Sequence, residues 1–268
     1  MHDAETIGPA ARSHRHFTVS GRTDVGRHRA ENQDTFAIAD LASGMLALVC
    51  DGMGGGPAGE LAARVAASTI VDELEGAGAA VVEEPGSALK SAVEGANRAI
   101  LDEVTAHPEE KGMGTTCTAA VFAPDHVAVA QVGDSRAYLL RDGHLELLTR
   151  DQTIASQMVE AGVLAPDDVA RFPYRHVLSQ ALGTKKPVEP VITDIALKEG
   201  DRVLLCSDGL HGPVPDDAIS AILKVSGDAA QAARALVAAA LAAGGPDNVT
   251  VVVADCGRLE GASGNGGG

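Results

Sequence analysis

Residues 115–148 read TTCTAAVFAPDHVAVAQVGDSRAYLLRDGHLELL, and the fold class turns on how this stretch divides. Four β-type runs lie in it: Thr115–Phe122, Val127–Val132, Arg136–Leu140 and Leu145–Leu148. Ala123-Pro124-Asp125 separates the first two and Arg141-Asp142-Gly143-His144 the last two. Such tight-turn signals leave no room for a helical crossover, so the pattern predicts antiparallel pairing.

Outward from this core, further strands are expected at Thr35–Ala39, Met45–Cys50, Val191–Ile195, Arg202–Ser207 and Asn248–Asp255. Ala- and Leu-rich periodicity places helices at Gly59–Leu74, Ala88–Val104, Ile154–Ala161, Asp216–Leu223 and Ala229–Ala243. One pair of helices follows the early strands and another precedes the last, an order that lets helices cover the outer faces of two stacked antiparallel sheets. The expected class is α/β (α+β), a four-layer α-β-β-α sandwich. Within 268 residues a single domain over 18–256 is the default. Residues 1–17 lack periodicity and 257–268 are dominated by glycine, so both ends are expected to be disordered.

Apolar residues make up 45% of the chain and aromatic ones 2%, which predicts a core of many small aliphatic contacts. A formal charge of −16 and the lack of a Lys/Arg cluster exclude a nucleic-acid partner or an anionic membrane surface. An acidic chain that handles phosphate needs cations in its site. The four cysteines, Cys50, Cys117, Cys206 and Cys256, are widely spaced within apolar runs and read as small buried hydrophobes of a reducing, cytoplasmic protein. The longest apolar run, 235–243, is too short to span a bilayer, and no signal peptide is expected. The nine histidines show no metal-ligand spacing.

Three apolar runs end at an aspartate: Leu46–Cys50 at Asp51-Gly52, Val127–Gly133 at Asp134, and Val203–Ser207 at Asp208-Gly209. A fourth run begins just after Asp247. Asp-Gly and Asp-Asn are common turn formers, and Asp142-Gly143 is read as nothing more. Four carboxylates at the ends of the strongest apolar strands are harder to dismiss, because such strands deliver them together to a sheet rim. Hard oxygen ligands without soft ones suit Mg²⁺ or Mn²⁺. The glycine-rich stretch 51–60 feeds a helix but lacks the Gly-Lys-Ser/Thr of a P-loop, so its glycines are read as giving the backbone room to approach a metal, Gly52 through its carbonyl. Arg29 and Asp34 lie five residues apart just before a strand, and a guanidinium there could grip phosphate bidentately.

Arg29-x-x-Asn32-Gln33-Asp34, Asp51-Gly52-Met53-Gly54-Gly55, Gly114-Thr115-Thr116, Val132-Gly133-Asp134-Ser135-Arg136, Leu148-Thr149-x-Asp151, Ser207-Asp208-Gly209-Leu210 and Asp247-Asn248-Val249-Thr250 occur in the order found in the metal-dependent, type-2C (PPM) protein serine/threonine phosphatases. Over about Thr18 to Asp255 the chain resembles bacterial members that oppose transmembrane serine/threonine kinases. The resemblance implies a β-sandwich flanked by helices, with two Mn²⁺ or Mg²⁺ ions and a third. Asp51 would bridge two ions, the Gly52 carbonyl would bind one, Asp208 and Asp247 would complete the other, and Asp134 with Asp208 would form the third site. Asp34 would hold a metal-bound water, and Arg29 the substrate phosphate without touching the metals. Met53 stands where animal relatives carry a histidine proposed as general acid, Gln33 replaces an acid found in many relatives, and Gln152 replaces the usual histidine. The implied reaction is hydrolysis of phosphoserine or phosphothreonine monoesters by a metal-bridging hydroxide, on phosphorylated proteins including a serine/threonine kinase. A monomer is expected, with specificity carried by a flap over Ile154–His176. The alternatives are a non-catalytic pseudophosphatase or phosphoprotein-binding module, and a structural metal-binding domain.

Overall fold

The computed structural model describes residues 6–7, 9–14, 16–42, 44–54, 58–184 and 187–257. Its strands are β1 (Thr6–Ile7), β2 (Ala11–His14), β3 (Phe17–Asp24), β4 (Asp34–Leu41), β5 (Gly44–Met53), β6 (Gly114–Thr115), β7 (Cys117–Phe122), β8 (His126–Val132), β9 (Arg136–Arg141), β10 (His144–Leu147), β11 (Val191–Ala196), β12 (Arg202–Cys206) and β13 (Val249–Cys256). The helices are α1 (Ala58–Gly76), α2 (Ala80–Glu83), α3 (Pro85–Ala106), α4 (Ile154–Glu160), α5 (Asp208–His211), α6 (Asp216–Val225) and α7 (Ala229–Ala242). One sheet runs β1-β4-β5-β7-β8-β11, with β6 on β5, and the other runs β10-β9-β12-β13-β3-β2.

The hairpins expected from residues 115–148 form. Phe122 faces Val127 across the first and Arg141 faces His144 across the second. Asp142 and Gly143 take φ of 50° and 75°, the paired left-handed values that let a two-residue turn follow the strand twist.

Strand alternation builds three apolar layers. On β5, Leu46, Leu48 and Cys50 point into the layer under α1 and α3, while Met45, Ala47 and Val49 point between the sheets. On the other sheet, Leu204, Cys206, Val251 and Val253 pack toward α6 and α7, and Val203, Leu205, Val252 and Ala254 face the first sheet. Burial on both faces explains why these runs are apolar at every position rather than at alternate ones. Each Leu or Val so placed contributes about 1.5–3 kcal/mol. The result is the four-layer helix-sheet-sheet-helix sandwich expected from the sequence.

Three differences from expectation have physical causes. Thr115–Phe122 is split at Thr116, whose hydroxyl is drawn into bonds with the Asp51 amide and the Ser135 hydroxyl. β3 was not among the expected strands. Its apolar pattern is interrupted at Gly21, where a Cβ would lie 2.2 Å from the Phe36 ring and force it to shift. The disorder expected over 1–17 does not hold for β1 and β2. β2 adds to the edge of β3 in register Ala11↔Ser20, satisfying its open backbone groups, and β1 joins β4 as a parallel pair in otherwise antiparallel sheets. Of the glycine-rich tail, Gly257 donates to the His16 carbonyl, and 258–268 lie outside the described residues.

Gly21→Ala should drive Phe36, which is 1% exposed, out of its place and cost about 1–3 kcal/mol. The melting temperature should fall by about 2–4 °C for each kcal/mol, while Thr18→Ala on the exposed face of the same strand should not change it. An unshifted Gly21→Ala melt would show that the ring moves aside freely.

Candidate active site

Five aspartates gather at one end of the sandwich. Asp34 opens β4 directly opposite Asp51 near the end of β5. Asp208 follows β12 and begins α5. Asp134 sits in the turn from β8 to β9, and Asp247 lies just before β13. Asp51, Asp134, Asp208 and Asp247 line one cleft of 680 Å³ together with Gly52 and Arg29. Asp34 is buried and accepts a 2.7 Å bond from the Ser207 hydroxyl, which in turn accepts from the Thr250 amide.

The backbone around these carboxylates is tied down by close approaches. At Gly52 a Cβ would come within 2.1 Å of the Gly59 carbonyl, and at Gly209 within 1.8 Å of the Asn248 carbonyl, so only glycine can follow Asp51 and Asp208 here. The Asp51 amide donates to the Thr116 hydroxyl at 3.0 Å, and the Asp51 carbonyl accepts from the Thr116 amide at 2.9 Å. Asn248 clamps the loop that carries Arg29: its Oδ1 accepts from the Gln33 amide, and its Nδ2 donates to the Val25 and Glu31 carbonyls, all at 2.9 Å. Near Asp134, Arg136 grips Asp151 bidentately at 2.8 and 2.7 Å. Burial, with help from Arg136, lowers His211 to about 4, so the ring is neutral and its Nε2 can donate to the Asp134 carbonyl at 3.1 Å.

The electrostatics are those of crowded like charges. Burial, then Asp208 and Asp247, push Asp34 up to about 7 against the opposing bonds from Ser207 and Thr250. Burial, then Asp208 and Asp151, push Asp134 to about 7. Asp51 is driven well above the carboxylate range by burial and by Asp34, Asp208 and Asp134, and Asp208 is raised by burial and Asp247. Against this stands Arg29, whose Nη2 donates to Asp247 Oδ2 at 2.7 Å. One half-exposed guanidinium does not neutralise five carboxylates, so the donor set calls for a multivalent cation. All of its members are hard oxygens, which fits Mn²⁺ or Mg²⁺. Among the described residues no three His, Cys, Asp or Glu side chains enclose an ion by themselves. The carboxylates instead rim an open cleft.

The family model described as protein phosphatase 2C matches residues 26–243. The chain belongs to the protein phosphatase 2C family. Serine/threonine protein phosphatase PstP of Mycobacterium tuberculosis is 41% identical over 238 residues, which is 88% of this chain but 44% of that protein. The chain therefore spans less than half the length of this relative. The serine/threonine phosphatase stp of Listeria welshimeri is 33% identical, covering 87% of this chain and 94% of that one. A crystal structure of the PstP catalytic domain in complex with two manganese ions aligns with a TM-score of 0.79 at 38% identity, covering 91% of this chain and 99% of that one.

As a protein phosphatase 2C member, the chain brings Asp34, Asp51, Gly52, Asp134, Asp208, Asp247 and Arg29 to one end of the fold. Arg29 pairs with Asp247, one of the carboxylates expected to hold metal. Ser207, Asn248 and His211, which orient the site, carried no separate signal beyond lying inside or beside motifs. Arg175 and His176, at the end of the expected flap, line the cleft. Gly55, Gly56 and Pro57 lie outside the described residues.

Folded Asp34 and Asp134 ionise near 7 rather than at the ordinary 3.8, so between about pH 4 and 7 the folded chain binds more protons than the unfolded one. Their contribution is full below that window and is lost as pH rises through it. In EDTA the melting temperature should be lower at pH 8 than at pH 5.5, by about 2–4 °C per kcal/mol, and Mn²⁺ should raise it more at pH 8. A pH-independent melt in EDTA would contradict the buried, crowded carboxylates.

Proposed function

We propose that this chain is a Mn²⁺- or Mg²⁺-dependent protein serine/threonine phosphatase that hydrolyses phosphoserine and phosphothreonine monoesters. The observation that carries the reading is the convergence of Asp51, Asp134, Asp208 and Asp247 with one guanidinium, Arg29, on one cleft, with Asp34 buried behind Asp51, in a protein phosphatase 2C member. Asp51, the Gly52 carbonyl, Asp208 and Asp247 would hold two ions. Bound there, the ions lower the pKa of water and offset charge on the phosphoryl oxygens. Asp34, oriented by Ser207, can take a hydrogen bond from water at its carboxylate. Arg29 binds and orients the phosphate. Met53 can donate no proton, so the leaving alkoxide draws its proton from water in the cleft. Asp134 with Asp208 would form a third, weaker site.

The substrates are phosphorylated proteins, among them a serine/threonine kinase whose action the chain opposes, and the chain acts as a monomer. A reducing cytoplasm suits its four free, buried cysteines. No helix among the described residues is long and apolar enough to cross a membrane.

Turnover of p-nitrophenyl phosphate and of a phosphothreonine peptide should require added Mn²⁺ or Mg²⁺ and vanish on chelation. Asp208→Asn and Asp247→Asn should each cut kcat/KM by about 100-fold or more, a loss of about 2.7 kcal/mol in transition-state stabilisation. Activity surviving exhaustive chelation would refute the ion-dependent reading, and absence of turnover with Mn²⁺ would leave a phosphoprotein-binding module.

Asp134→Asn should keep the two inner ions and reduce kcat. Anomalous scattering from Mn²⁺-soaked crystals of the variant should show two strong peaks; three full peaks would remove Asp134 from the ligand set.

A further inference from the structure

The chain has 37 acidic and 21 basic residues, so a cation without a carboxylate partner is out of keeping with its surroundings. Two arginines line the carboxylate cleft. Arg29 is committed to Asp247. Arg175 has no side-chain hydrogen bond or ion pair among the described residues.

Arg175 is nevertheless held in place by its backbone. Its amide donates to the Phe172 carbonyl at 3.2 Å, and the Val177 amide donates to the Tyr174 carbonyl at 3.1 Å. The turn is anchored through the Ile154 amide on the Val177 carbonyl and the Ser179 amide on the Gln152 carbonyl, both at 2.8 Å. Gln152 is bonded in both directions to Gly133, beside Asp134. The backbone of Arg175, whose guanidinium has no partner among the described residues, is thus tethered through three backbone links to the turn that carries a site carboxylate. Beside it Tyr174 is 62% exposed and stands edge-on to Phe172 at 5.8 Å, an apolar surface against which an extended chain can lie.

We propose that Arg175 anchors a second anion subsite, which takes a carboxylate or phosphate on a residue flanking the one being dephosphorylated. This rests on the phosphatase reading and adds a substrate class to it: phosphoproteins with clustered negative charge. A cleft of this size holds several residues of a peptide. Its acidic floor repels a flanking anion unless a cation receives it, and the planar fork of arginine matches both carboxylate and phosphate. Because Arg175 is exposed, the preference is modest, about fivefold, and weakens with salt.

The test uses phosphothreonine peptides differing only at flanking positions, which carry Ala, Asp or phosphoserine, with Mn²⁺ present. Wild type should show KM about fivefold lower for the Asp and phosphoserine peptides. Arg175→Ala should equalise the three through KM at unchanged kcat, and Arg175→Lys should retain part of the preference. Turnover of p-nitrophenyl phosphate should be the same in wild type and Arg175→Ala. A wild type indifferent to flanking charge, a preference that survives Arg175→Ala, or an equal loss on p-nitrophenyl phosphate, which would put Arg175 on the scissile phosphate, overturns the subsite. No turnover of p-nitrophenyl phosphate by wild type would instead overturn the phosphatase reading. Fluorescence anisotropy with the same peptides carrying a non-hydrolysable phosphonate then decides the subsite independently.

Discussion

Repulsion among aspartates at one end of two stacked sheets is the constraint on which the rest of the structure depends. Two like charges about 4 Å apart cost about 4 kcal/mol at the effective dielectric of a protein surface, and here Asp51 feels Asp34, Asp208, Asp134 and Asp247 together. Relaxation by moving apart is blocked. Gly52 and Gly209 touch neighbouring backbone too closely for any side chain, and Asp34 faces Asp51 in register across a ladder. The remaining ways to lower the energy are protonation, which the raised carboxyls of Asp34 and Asp134 express, and a multivalent cation.

Holding that arrangement requires a stiff support, and the packing supplies it with small side chains. Between α1, α3 and the first sheet the layer is rich in alanine, with Ala62, Ala63, Ala66, Ala67, Ala92 and Ala96 all buried, so the helices approach closely. Phe17, Phe36 and Phe122 lie between the two sheets, where Phe17 and Phe122 meet at 5.3 Å. A 2% aromatic content is therefore concentrated in the layer that sets how the two sheets, and the carboxylates at their ends, sit relative to each other.

The parts of the fold that were legible in the sequence are those with one dominant local cause. The hairpins around 124 and 142 are written in turn residues, and the central strands in runs apolar on both faces. β3 was not legible because Gly21 yields its side-chain volume to Phe36, a partner in the other sheet that no local window contains. β2 depends on an edge it did not create. At the site, the aspartates announced themselves by ending apolar runs, whereas Ser207, Asn248 and His211 act through bonds spanning 173, 215 and 77 positions and resemble ordinary polar residues in sequence. The type of Arg29 suggests a phosphate ligand, but its bond to Asp247 depends on where the loop lies in the fold.

That bond also shows why Arg29 and Asp247 cannot be treated as separate functions. Asp247 Oδ2 accepts from Arg29, while Asp247 Oδ1 accepts from the Asn248 amide, and Asn248 in turn clamps the loop bearing Arg29. The carboxylate, the loop and the guanidinium form one closed circuit. A cation placed on Asp247 competes with the guanidinium for the same oxygen and repels it, so charge arriving at the carboxylate weakens the bond that holds the arginine there. The loop itself does not loosen, because Asn248 holds it through the Val25 and Glu31 carbonyls rather than through charge. If Arg29 takes the substrate phosphate as proposed, the circuit would let the guanidinium exchange a carboxylate for a phosphate without a change in backbone, because two kinds of bond meet in one place: neutral ones that resist charge and an ionic one that yields to it.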